Sequence, residues 1–164
     1  MSVSHFRRLF EQLMVGCKGV PVGKDVWYMP WSREDECITA IQLQKSNWSK
    51  LFYVNILVYT RGAFGWNVSD LTEAMTLWER GRGGGAAIAD RRLPSEFNPA
   101  CDLQSSLSDE ERRKQLSDAV AFLDIFSKRA KSRSGVRLLA EDELLFLTPP
   151  ALAELDKLDA EAIN

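Results

Sequence analysis

The sequence predicts an α+β domain, with an antiparallel sheet of three to four strands and helices packed on one face as a two-layer sandwich. Residues 26–60 hold three runs rich in strand-forming residues joined by short polar breaks. An amphipathic helix precedes them, and a strongly capped one follows at Ser108. With 164 residues, 45% apolar and 27% charged, the chain can bury a single core. Residues 1–147 are expected to form one domain, and 148–164 its C-terminal capping helix.

Phe6, Leu9, Phe10, Leu13, Met14 and Cys17 follow the spacing of one helix face, with Ser4 as the N-cap. Gly16 and Gly19 weaken the end and Pro21 closes it. "VWYMPW" (Val26 to Trp31) is the first strand, which Pro30 must end or confine to an edge. "CITAIQLQK" (Cys37 to Lys45) is the second and "KLFYVNILVYT" (Lys50 to Thr60) the third, linked by "SNWS" (Ser46 to Ser49) as a hairpin.

Alternation puts Phe52, Val54, Ile56 and Val58 on a wholly apolar core face. The second face mixes Leu51, Tyr53, Asn55, Leu57 and Tyr59 with Ile38, Ala40, Gln42 and Gln44. Either other segments partly cover it, or it is a docking surface.

Ser69 or Asp70 caps a second helix with the stripe Leu71, Ala74, Met75 and Trp78, ended by Gly81. The region from Gly81 to Gln104 has no period, although "CDLQSS" offers a fourth, edge strand. Ser108 and Glu111 form a capping box for a helix burying Leu116, Ala119, Val120, Leu123, Phe126 and Ala130. "KSRSG" (Lys131 to Gly135) reads as a linker and Glu141 to Leu147 as a short helix. Thr148 and Pro149 start the last helix, with Leu152, Leu155 and Leu158 as its stripe. It is expected at the rim or on the second face.

The first helix, the aromatic strand and "ITAIQLQKSNWSKLFYVNILVY" together resemble the bacterial domain of unknown function 4304 family. The residues that carry this are Gln44-Lys45-Ser46, Val54-Asn55 and "RRLPSEF" (Arg91 to Phe97), within Phe6 to about Leu147. "ACDLQSS" stands where members often have a Trp-Trp pair before the late helix. The resemblance implies an α+β sandwich and offers no catalytic residues to carry over.

Chemistry is constrained mainly by what is scarce. His5 is the single histidine, so a Ser-His-Asp triad, a Cys-His pair or a multi-histidine metal site would have to recruit it from the chain's edge. No cofactor, metal or catalytic residue is expected. "GRGGGAA" lacks the Gly-Lys-Ser/Thr ending and the preceding strand of a phosphate loop. Cys17, Cys37 and Cys101 contain no Cys-x-x-Cys and read as reduced thiols. The opening residues do not read as a signal peptide, and no run approaches the ~20 apolar residues of a membrane span. A cytoplasmic protein is expected.

The net charge is −2, but from Glu141 onward seven acids face only Lys157, a local balance of −6. That argues against a nucleic-acid footprint there and is compatible with a basic protein partner; no nucleic-acid partner is expected. The expected contact residues are Trp48 at the hairpin tip, Tyr53 and Tyr59 on the second face, and Glu141, Asp142 and Glu143. Two function classes follow. One is a non-enzymatic protein-binding domain, in its most concrete form an immunity-type protein that occludes a toxin; a homodimer burying Trp48 is another form of such contact. The other is a small-ligand binder or enzyme with a pocket between the sheet and the 81–101 loop, using Asn55, Arg91 and Arg92 beside the tyrosines.

Overall fold

The computed structural model describes residues 1–68, 73–74 and 87–164. Helix α1 (Val3–Gly16) is followed by strands β1 (Val20–Gly23), β2 (Val26–Tyr28), β3 (Cys37–Lys45), β4 (Phe52–Thr60) and β5 (Ala89–Arg92). Helices α2 (Asn98–Cys101), α3 (Asp109–Arg129), α4 (Arg133–Glu141) and α5 (Pro149–Ile163) complete the chain. The strands form one antiparallel sheet in the order β1-β2-β3-β4-β5. The α+β class holds, with five strands among the described residues rather than three or four.

The core lies between one sheet face and the helices. Phe6, Leu9, Phe10 and Met14 of α1 and Leu116, Ala119, Leu123 and Phe126 of α3 are buried against Trp27, Ile41, Val54 and Ile56. Phe6 stacks on Phe52 with ring centroids 4.5 Å apart, which locks α1 to the sheet. Ser108 forms the expected capping box with Glu111, accepting its backbone N–H at 3.2 Å while the Glu111 carboxylate accepts from the Ser108 N–H at 2.8 Å. The buried Arg112 guanidinium donates to the carbonyls of Ala100 and Asp102 at 2.7 and 2.8 Å, tying α2 to α3.

Several expectations are corrected. Ser2, not Ser4, caps α1: its hydroxyl accepts from the His5 N–H, so Ser4 lies inside the helix. Two strands escaped the pattern, β1 with Pro21 on a sheet edge where the lost donor is tolerated, and the charged β5. "CDLQSS" is not a strand; Cys101 ends α2 and Asp102 makes a single bridge to Leu51. Lys131 to Gly135 is no linker, because Ser132 caps α4 within it. There is no helix over Glu141 to Leu147, since α4 ends at Glu141 and Glu143 adopts φ 59°. A Cβ on Gly135 would lie 1.9 Å from the Arg129 carbonyl oxygen, so only glycine lets α4 start this close to α3. Ala151, Leu155 and Leu158 of α5 join the main core rather than the second face, and Leu152 stays partly exposed. The helix expected over Leu71 to Trp78, with its caps at Ser69 or Asp70, lies outside the described residues except for Glu73 and Ala74. So does the glycine-rich segment before Ala87.

Candidate functional site

The second face of the sheet divides into two halves. Toward the β2 side and the far end of the β3–β4 ladder, Val26, Tyr28, Ile38, Ala40, Leu57 and Tyr59 are buried by Trp66, Val68 and Ala74. Tyr59 stacks on Trp66 at 5.5 Å, and the Tyr28 hydroxyl donates to the Ala74 carbonyl at 3.3 Å. Arg61 holds the covering segment in place by donating to the carbonyls of Asp35, Ser32 and Val68. Burial pushes the phenol pKa values of Tyr28 and Tyr59 upward, with Tyr59 adding to the rise at Tyr28. Tyr59, expected as a contact residue, is 1% exposed and belongs to this second core.

The hairpin end of the same face is covered by none of the described residues. Register sets Gln42 opposite Asn55, Gln44 opposite Tyr53, and Asn55 opposite Arg92. The Asn55 amide nitrogen donates to Gln42 Oε1 at 3.1 Å and to Gln44 Oε1 at 3.0 Å. Each glutamine oxygen is thereby turned toward Asn55, and both glutamine NH2 groups remain as donors against one Asn55 carbonyl. The Arg92 guanidinium lies 3.9 Å above the Tyr53 ring and makes no ion pair among the described residues. Gln42, Gln44, Asn55 and Arg92, with Leu57, Asp90 and Arg91, line a hollow of about 440 Å³. Donors dominate the row, so it suits acceptor-rich or anionic groups.

Arg91 points to the opposite face and curls over the rim. It donates to the Leu144 carbonyl and, through Nε at 2.9 Å, to the Arg92 carbonyl. Desolvation lowers its pKa somewhat. With Arg92, Ala140, Glu143 and Phe146 it lines an adjoining hollow of about 400 Å³. A third, of about 670 Å³, joins Tyr53 and Arg92 to Leu51, Asn98, Asp102 and Ser105. Arg92 borders all three. Among the described residues no three His, Cys, Asp or Glu side chains gather as a metal cluster.

The fold thus brings together Tyr53, Asn55, Arg91 and Arg92, with Glu143 at the margin. Trp48 is 96% exposed on the hairpin beyond Gln44 and Tyr53, at the open end. Glu141 and Glu143 are exposed, but Asp142 pairs with Arg129. Asp156 and Asp159 pair with Arg137, and Asp159 also with Arg133 at 2.6 Å. These arginines hold the Asp159 carboxyl below its ordinary pKa. The acidic count from Glu141 onward therefore overstated the free charge, because its counter-ions stand just upstream. Gln42, Gln44 and Asp90 were not singled out as site residues. Their signal was a Gln-x-Gln on one strand opposite an Asn on the next.

No protein-family model, no curated protein and no solved structure matches this chain. Among the described residues no helix is long and apolar enough to cross a membrane.

Proposed function

We propose that this is a non-enzymatic binding domain that holds another protein against the open half of its second sheet face. The carrying observation is the hydrogen-bonded Gln42-Asn55-Gln44 row beside Arg92, which lies over Tyr53 and has no ion-pair partner among the described residues. A row whose rotamers are already fixed loses little entropy on binding. Trp48, nearly fully exposed at the same end, adds a large amphipathic ring of the type that anchors interfaces. The most concrete form of this reading is a bacterial immunity-type protein that blocks a toxin by occlusion. The three unpaired cysteines suit a reducing, cytoplasmic setting. The family resemblance adds no chemistry to this reading.

The experiment is co-purification of the tagged full-length chain with the product of its neighbouring gene, for wild type, Arg92→Glu and Trp48→Ala. A stoichiometric partner retained by wild type and lost with Arg92→Glu supports the reading. A chain that retains no partner, or variants that retain it equally, contradicts it.

A second reading, a small anionic ligand in the 440 Å³ hollow, is favoured by the excess of donors there. Retention of a carboxylate or phosphate metabolite by the purified wild type, detected by native mass spectrometry and lost with Asn55→Leu, would select it.

A further inference from the structure

We infer that β5 accepts an extended, carboxylate-bearing segment of a partner protein as a sixth strand. This deepens the binding reading above and rests on it. β5 is an outer strand of the sheet, paired only to β4 among the described residues. The Leu93 N–H donates to the Val54 carbonyl at 2.9 Å, just beyond the Arg92–Asn55 pair. By the alternation of an antiparallel ladder, the peptide groups of Asp90 and Arg92 therefore point away from β4. Both residues are exposed. The outward Arg92 carbonyl is occupied by Arg91 Nε, a side chain an incoming backbone N–H would replace.

Charge and shape select the occupant. Asp90 and Arg92 lie on the same face two residues apart, and neither has an ion-pair partner among the described residues. An added strand would set a carboxylate opposite Arg92 and a basic or hydroxyl side chain opposite Asp90, because opposite charges across a ladder attract. The three hollows meeting at Arg92 run from Asn98 and Ser105 to Phe146, which is 73% exposed. A trough of that extent suits a chain segment better than a compact metabolite, and Phe146 offers an apolar side chain at its end. A second copy of this chain carries the same Asp-x-Arg pattern. The register that pairs Asp90 with Arg92 would, however, set Arg91 against Arg91, two like charges directly opposed.

The test is selection of displayed heptapeptides, rich in strand formers, on the full-length chain and on Arg92→Glu. Nuclear magnetic resonance then follows the full-length chain with the peptide selected most strongly. The wild type is expected to enrich peptides with an acid at one position and Lys, Ser or Thr two positions away. Acid should be favoured there over base at least tenfold, and Arg92→Glu should reverse the preference. Amide exchange at Asp90 and Arg92 should slow at least tenfold with the selected peptide, and N-methylation of its alternate amides should abolish that protection. Unchanged exchange at Asp90 and Arg92 while the Gln42 and Asn55 side-chain amides shift would overturn the added strand and leave the face-binding reading standing. No enriched peptide, together with no co-purifying protein, would overturn both. A concentration-dependent dimer that protects the same two amides would assign the edge to self-association and overturn the partner segment.

Discussion

The two halves of the second sheet face use the same strands and solve opposite problems. One is closed by rings: Tyr28, Tyr59 and Trp66 are each about 1% exposed or less. Their buried area makes this half a core in its own right, opposite the main one. The other half is closed by nothing described, yet its side chains are ordered, because Asn55 bonds to both glutamines and Arg92 rests on Tyr53. Burial gives the first half its rigidity, and hydrogen bonding gives rigidity to the second without covering it. A face that is stiff but uncovered is suited to meeting something else.

That contrast is broken most severely at Trp66. Trp66→Ala should lose about 3–5 kcal/mol of unfolding free energy, whereas Arg92→Ala should stay within about 0.5 kcal/mol. Urea unfolding of both variants checks this, and equal losses would erase the distinction between the halves.

Alkali should also find the covered half. Burial raises the pKa of Tyr28 and Tyr59 in the covered half, and raises Cys37 in the main core to about 12. The native state keeps protons that the unfolded thiol begins to release near pH ~8.5 and the phenols near ~10. Unfolding free energy therefore holds its full value below pH ~8.5 and falls as pH rises toward 12. Urea midpoints measured from pH 7 to 11 should decline above ~8.5, while a flat profile would contradict the burial of these groups.

In the open half, Asn55→Leu removes two hydrogen bonds at a half-buried site and should cost about 1 kcal/mol. Its larger effect should be on partner retention, lowered at least tenfold in the same co-purification. A variant that loses several kcal/mol while retaining its partner would make the row structural. The smallest effect is expected at Tyr59→Phe. Among the described residues the Tyr59 hydroxyl is buried without a hydrogen-bond partner, so its removal should leave stability unchanged or raise it by up to ~1 kcal/mol. A clear loss in calorimetry would mean that the hydroxyl has a partner.

What was legible in the sequence followed from period and capping. The apolar alternation of β4, the stripe of α1 and the Ser108–Glu111 box each signal their element from side chains alone. β5 gave no such signal: Ala-Asp-Arg-Arg has no apolar alternation, and it is a strand because β4 offers it a ladder. Helix α4 lies upstream of the helix expected over Glu141 to Leu147; there Leu145 and Leu147 are buried, and Leu144 partly so, from a non-helical segment that follows Glu143 in its left-handed turn. At the site, Tyr53 and Asn55 were legible as second-face residues of β4 by alternation, and Arg91 and Arg92 as cations of the 81–101 loop facing that sheet. Their coming together depends on the β4–β5 register, which only the fold supplies. The local balance of −6 from Glu141 onward is a sum along the chain, which Arg129, Arg133 and Arg137 partly offset through space.

The most direct measurement compares the affinity of the co-purifying partner for Arg92→Glu and for the triple Glu141/Asp142/Glu143→Lys variant. If the open half of the sheet is the contact surface, Arg92→Glu weakens binding at least tenfold and the triple variant by less than threefold. The reverse order, with the triple variant losing the partner and Arg92→Glu keeping it, would contradict the account.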